Sequence, residues 1–131
     1  MEVIVDTSVW SSALRRKAPI ENEMTELLRK IIIKGNAILL GPIRREILSG
    51  IKDQKQFNML RDKLKSFPDH EITVNDYETA AGFFNLCRGK RIQGSNTDFL
   101  ICAVASNNKY QVLTSDKDFF SYKKVLDIQL L

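Results

Sequence analysis

The chain has 131 residues, the size of one ordinary domain and enough to bury a core without disulfide or metal staples. With 44% apolar and 27% charged residues it falls in the globular class and outside the disordered one. Its apolar runs stop far short of the ~20 residues a membrane span needs, and a net charge of +4 permits an anionic polymer as substrate without requiring one.

In chain order, Val3-Ile4-Val5 is a short, β-rich apolar run that ends at Asp6 and predicts a buried strand. From Glu21 to Lys34 the apolar residues Met24, Leu27, Leu28, Ile31 and Ile32 recur at helical spacing, and Gly35-Asn36 stops that helix. Ala37 to Leu40 predicts a second strand. Gly41-Pro42 then opens a short helix over Ile43 to Ser49, closed by Gly50. Asp53 to Leu64, with Phe57, Leu60 and Leu64 on one face, predicts a further helix, Ile72-Thr73-Val74 a strand, and Asp76 to Arg88 a helix with Tyr77, Ala80, Ala81 and Phe84 on one face. Gly89 to Gly94 is a basic, turn-rich segment. Thr97 to Ser106 is nearly all apolar and predicts a buried helix, Gln111 to Thr114 a strand, and Val125 to Leu131 room for a last one. Strands alternate with helices throughout and no linker or repeat interrupts them. A single α/β domain over 1–131, with a mainly parallel sheet between helices, is the expected architecture.

The chain opens on its first strand, without the basic and apolar regions of a secretory leader. Cys87 and Cys102 lie in apolar helical contexts outside any metal-ligand spacing, so they read as buried free thiols in a reducing, cytoplasmic protein. The lone His70, in the polar context Pro68-Asp69-His70-Glu71, reads as a surface residue.

In an open parallel sheet, ligands bind beyond the carboxyl ends of the strands. Asp6 directly follows the first strand and Asp116 follows the strand ending at Thr114. Asp98 opens the buried helix, and Glu46 sits on the short helix after the second strand. Each has a plainer reading. Asp6 can cap a helix starting at Thr7. Ser95-x-x-Asp98 has the form of a capping box. Asp116-Lys117-Asp118 suits a turn, and Glu46 can pair with a neighbouring arginine. Taken together, four carboxylates at one edge repel one another unless a cation neutralises them. Hard oxygen ligands suit Mg²⁺ or Mn²⁺, and such ions at a phosphate promote phosphodiester hydrolysis.

Four segments, in order, resemble the acidic motifs of PIN-domain proteins, above all the VapC toxins of bacterial and archaeal toxin–antitoxin pairs. They are Val3-Ile4-Val5-Asp6-Thr7-Ser8-Val9-Trp10, Arg45-Glu46-Ile47-Leu48-Ser49-Gly50, Thr97-Asp98-Phe99-Leu100-Ile101-Cys102-Ala103-Val104-Ala105 and Leu113-Thr114-Ser115-Asp116-Lys117-Asp118-Phe119. The resemblance implies a PIN-like α/β/α sandwich and a Mg²⁺-dependent endoribonuclease. Asp6, Glu46, Asp98 and Asp116 would hold one or two Mg²⁺ (or Mn²⁺), while Thr7 or Ser8, and Thr114, orient carboxylates or water. It also implies an RNA substrate, a cognate antitoxin lying across the early helices and the catalytic edge, and a homodimer; in-line attack of a metal-activated water on the phosphate is the mechanism expected of such a site. Asp118 stands beside Asp116 as an alternative fourth ligand. Arg15, Arg16 and Lys17, and Arg88, Lys90 and Arg91, are the cations placed to follow phosphates; Arg44 and Arg45 are placed to pair with the acids. Trp10 reads as core, with base stacking as its alternative. A catalytically inactive PIN-like module that binds RNA or protein is the rival reading, which the intact acidic set argues against. An aspartate-nucleophile phosphatase would carry a second Asp where Ser8 stands.

Overall fold

The computed structural model describes residues 1–15 and 21–131. Its sheet has the order β2-β1-β3-β4, and every pairing among the described strands is parallel. The central strand β1 (Val3–Val5) pairs Val3 with Ala37 and Ile4 with Ile38 of β2 (Ala37–Ile38). On its other side it pairs Val3, Ile4 and Val5 with Gln111, Val112 and Leu113 of β3 (Gln111–Leu113), and β4 (Gln129–Leu130) closes the far edge. All three residues of β1 are buried. Successive strand side chains point to opposite faces, so both faces of the sheet are covered, as the unbroken apolar run requires.

Among the described residues the cover comes from seven helices: α1 (Thr7–Leu14), α2 (Glu23–Ile33), α3 (Gly41–Leu48), α4 (Gln54–Leu64), α5 (Val74–Gly89), α6 (Asn96–Asn108) and α7 (Asp118–Lys123). Local chemistry sets their ends. Asn22 accepts a hydrogen bond from the Thr25 amide at 3.0 Å, and the Asn22 amide donates to the Thr25 hydroxyl at 3.0 Å, a reciprocal cap that starts α2. Gly35 follows with φ +73°, a left-handed turn that glycine adopts without a Cβ clash. Pro42 sits in the first turn of α3, where its missing N–H is not needed. The stripe predicted for α2 is partly realised, with Leu28 and Ile31 buried and Ile32 at the surface.

Three expectations need correction. Ile72-Thr73-Val74 is not a strand: Thr73 caps α5, its hydroxyl accepting from the Asp76 amide at 3.1 Å while Asp76 accepts from the Thr73 amide at 2.9 Å. The β-branched run mimicked a strand, and the capping pair outweighed it. The second strand is shorter than Ala37 to Leu40, and Leu39 makes only an isolated parallel bridge to Asp69. Finally, a short helix, α7, follows the Asp116-Lys117-Asp118 turn where no element is expected; its buried Phe119 and Tyr122, one helical turn apart, anchor it to the core.

Trp10 is core: it is fully buried, packs edge-on against Phe67 at 5.1 Å, and its Nε1 has no hydrogen-bond partner among the described residues. Cys87 and Cys102 are buried and free, and burial pushes both thiols upward. His70 Nδ1 donates to the Glu71 carbonyl at 2.9 Å, since a carbonyl only accepts, and Nε2 takes the Tyr110 hydroxyl at 3.2 Å. Among the described residues no helix is long and apolar enough to cross a membrane. Helix α6 ends on Lys109 at φ +58°, a left-handed position that a side chain opposes. Lys109→Gly is expected to stabilise the protein by about 1 kcal/mol. Chemical denaturation would read this as a raised midpoint at unchanged slope, and a lowered midpoint would refute it.

Candidate active site

Because β1 and β3 run parallel and in register, their carboxyl ends lie side by side. The chain reaches β2 on one side of β1 and β3 on the other, so that point is where the strand order reverses, the usual ligand crevice of an open α/β sheet. Asp6 leaves β1 there, and its amide donates to the Leu113 carbonyl at 2.9 Å. It occupies the N-cap position of α1, yet its side chain makes no capping bond. Instead Asp6 Oδ2 accepts from the Ser8 hydroxyl at 2.8 Å and the Thr114 hydroxyl at 2.7 Å. Each hydroxyl has one proton and uses it on Asp6, so their oxygens are left to accept backbone amides. Ser115 N donates to Ser8 Oγ at 3.2 Å, and Asp116 N to Thr114 Oγ1 at 2.9 Å. Thr114 thereby couples the two acids directly. Asp116 Oδ1 in turn accepts from the Asp118 amide at 2.9 Å, so the turn reading of this segment also holds.

Asp98 stands in the first turn of α6. Ser95 caps that helix, accepting the Asp98 amide at 3.1 Å, but only half of the expected box forms. The Asp98 carboxylate accepts instead from the Tyr122 hydroxyl, 2.6 Å from Oδ2. Glu46, on α3, is held by the first residue of α1: Thr7 Oγ1 donates to Glu46 Oε1 at 2.8 Å. Every one of the four acids therefore has a hydroxyl or amide donor of its own. Tyr122 was not recognised from the sequence, because nothing in the spacing links it to a residue 24 positions earlier.

Burial is the main reason the Asp6 carboxyl sits above the ordinary range; the Thr114 and Ser8 hydroxyls and the Thr7 backbone oppose it, and the Asp116 charge adds to it. Burial likewise raises Asp98, with the Tyr122 hydroxyl opposing and the charges of Asp6 and Asp116 adding. Burial, with the neighbouring Asp98 carboxylate, drives Tyr122 upward, so its hydroxyl stays protonated and donates. The Asp116 charge thus bears on both Asp6 and Asp98, and Asp6 on Asp98, while Glu46 joins through Thr7. Among the described residues no three acidic, histidine or cysteine side chains approach closely enough to enclose an ion in this geometry.

One of the cations departs from expectation. Arg44 does not pair with the acids: its Nε donates to Asp69 Oδ1 at 2.8 Å and its terminal nitrogens to the Leu64 and Phe67 carbonyls, tying down the end of α4. Arg88 lies over the Phe84 ring, 5.6 Å from its centroid, and Lys90 and Arg91 are exposed beyond α5. The Arg15 carbonyl accepts from Gln56 Nε2 at 2.9 Å; Arg16 and Lys17 lie outside the described residues.

The family model for the PIN domain matches residues 3–125, nearly the whole chain, including all four acidic segments. The chain belongs to the PIN domain family. Solved structures share the fold of this PIN domain at low identity. FitAcB from Neisseria gonorrhoeae is 20% identical over 98% of this chain and 96% of its own, with a TM-score of 0.77. VapBC2 from Rickettsia felis, bound to a DNA fragment from its promoter, is 15% identical over 100% and 98%, with a TM-score of 0.79. VapBC-5 from Mycobacterium tuberculosis, a member of the VapBC family of toxin–antitoxin systems, is 14% identical over 100% and 98%, with a TM-score of 0.73. No curated protein sequence matches the chain. In this PIN domain the sheet edge gathers Asp6, Asp98 and Asp116, with Glu46 tethered beside Asp6 through the adjacent Thr7.

Proposed function

We propose that this PIN domain is a Mg²⁺-dependent endoribonuclease that hydrolyses RNA phosphodiester bonds, and that it is the VapC-like toxin of a toxin–antitoxin pair. One observation carries the reading: at the strand-order reversal the carboxyls of Asp6 and Asp98 are raised by burial and by acidic neighbours, with Asp116 among the charges acting on both. A divalent cation relieves that misfit. The donors at this edge are hard oxygens, which fit Mg²⁺ or Mn²⁺ better than softer metals. Asp6, Glu46, Asp98 and Asp116 would hold the ion, with Thr7, Ser8 and Thr114 orienting their carboxylates. Bound there, such an ion supplies Lewis-acid stabilisation of the phosphate and lowers the pKa of water. Asp118, whose amide anchors Asp116, is an exposed neighbour that supports this loop. Arg88, Lys90 and Arg91 meet the RNA backbone.

Partners follow from the same reading. A cognate antitoxin covers the apolar hollow between α1 and α4, about 340 Å³, where Leu14, Met59 and Leu60 are rimmed by Lys55 and Lys63. A homodimer in the cytoplasm completes the proposal. The deciding experiment is cleavage of labelled single-stranded RNA in Mg²⁺ or EDTA by wild type, Asp6→Asn and Asp98→Asn. Cleavage that needs metal and disappears in both variants is the expected result. A partner-free protein that cuts nothing in a broad RNA panel, yet retains RNA, would establish the binding-module reading instead.

A further inference from the structure

Tyr122 stands outside the four acidic motifs, yet its hydroxyl makes the shortest hydrogen bond given to any of the four acids, 2.6 Å to Asp98 Oδ2. We propose that Tyr122 is a positioning residue: its hydroxyl pins the Asp98 carboxylate and thereby sets the affinity of the site for a divalent cation. The inference rests on the metal-dependent reading of the acidic site.

Two independent features fix the hydroxyl where it is. The first is the core around the ring. Tyr122 is fully buried, tilted against Phe99 at 5.3 Å and edge-on to Phe119 at 5.1 Å, so close packing holds the ring from two sides. The second is Gly94, just before α6. A Cβ there would come 2.5 Å from the Tyr122 hydroxyl oxygen, 2.8 Å from Cζ and 2.9 Å from the Phe99 ring. The backbone before α6 leans directly on the phenol, and only glycine permits that approach. A phenylalanine would fill the same apolar space, so packing alone does not call for the hydroxyl; what the oxygen adds is a charge-assisted bond to Asp98.

The bond also completes a two-point grip. Ser95 holds the Asp98 amide at the start of α6, and Tyr122, from α7, holds its carboxylate. Main chain and side chain of Asp98 are therefore fixed by different elements. Fixing one carboxylate oxygen limits how the other can meet a cation, the contribution that outer partners make at metal sites.

The test uses the full chain and Mn²⁺ as the probe, titrated by electron paramagnetic resonance of the free ion. Tyr122→Phe is expected to weaken Mn²⁺ binding about ten-fold while the thermal midpoint stays within a few degrees. RNA cleavage by the variant should be poor at limiting Mg²⁺ and recover at saturating Mg²⁺, a rescue that a generally loosened core would not give. Equal Mn²⁺ affinity in wild type and a folded Tyr122→Phe overturns the role of Tyr122 and leaves the metal site standing. Wild type that binds no Mn²⁺ overturns the metal reading beneath it, and the inference with it. Should Tyr122→Phe not fold, Gly94→Ala decides. It keeps the hydroxyl but displaces it: weakened Mn²⁺ binding supports the grip, and unchanged binding refutes it.

Discussion

Asp6→Asn is expected to lower metal-dependent RNA cleavage by about 10³-fold or more, the scale of several kcal/mol of lost charge stabilisation. It is also expected to raise the melting temperature of the metal-free protein at neutral pH. The second effect runs against the usual outcome of altering a buried residue, and it follows from the site's electrostatics. Asp6 is only 5% exposed, and burial, helped by the Asp116 charge, holds its carboxyl above the ordinary range. An acid with a raised folded-state pKa binds more protons in the native than in the unfolded chain between the two pKa values. Stability therefore falls as pH rises through that window, and the full penalty is present above it. Asparagine is isosteric, keeps an oxygen to accept from Ser8 and Thr114, and carries no charge. Relief at sites kept for activity is commonly about 0.5–2 kcal/mol, and about 4 °C accompanies each kcal/mol in a domain of this size.

The pH dependence gives the sign a second check. As pH falls toward the acid range, Asp6 takes up its proton and the advantage of Asp6→Asn over wild type should shrink. Adding Mg²⁺ at neutral pH should raise the wild-type melting temperature and leave the variant's unchanged, because a ligand stabilises only what it binds. Asp98→Asn should behave alike, since burial raises that carboxyl too. Scanning calorimetry from about pH 4, near the ordinary aspartate value, up to about pH 8 settles it. Variants that melt below wild type at neutral pH would show that these carboxylates stabilise the fold and that the site stores no repulsion.

How far the sequence foretold this depends on whether a feature is local. The strand Val3–Val5 ending at an acid, the helix closed by Gly35 and the proline-led start of α3 are all written in adjacent residues, and the structure has them. The misreading at Ile72-Thr73-Val74 is also local: Thr73-x-x-Asp76 carries the same capping signal as Ser95-x-x-Asp98, and β-branching masks it. The converse happened at Asp98, where the capping form was legible but its carboxylate has a different partner. That partner comes from α7, a six-residue helix too short for periodicity to reveal. Thr114 and Thr7 were named as supports, but which acid each serves depends on the register of β1 with β3 and the packing of α1 on α3, and neither is local. Convergence of four acids at one edge was expected as a single cluster. In the fold each acid also has a hydroxyl or amide donor of its own, while the charges of Asp6 and Asp116 still bear on Asp98.

Thr114→Val should produce the opposite stability change to Asp6→Asn, and the contrast isolates what the hydroxyl does. Thr114 Oγ1 donates to Asp6 Oδ2 at 2.7 Å and accepts the Asp116 amide at 2.9 Å. Valine matches the shape and removes both bonds at once. Asp6 then stays buried with one donor fewer, and the Asp116 amide loses its acceptor, a combination that costs about 1–3 kcal/mol. Because the same oxygen sets the spacing of two proposed ligands, Mn²⁺ affinity and cleavage should each fall about 10- to 100-fold. Thr114→Ser keeps the hydroxyl and should retain most of both. In the Asp6→Asn background the valine should cost less stability, since no buried charge remains to be solvated; that double-mutant cycle measures the coupling directly. If valine destabilises both backgrounds equally, Thr114 supports only the Asp116 loop. If valine leaves cleavage at the wild-type level, the hydroxyl bridge between the two strand ends has no part in the chemistry.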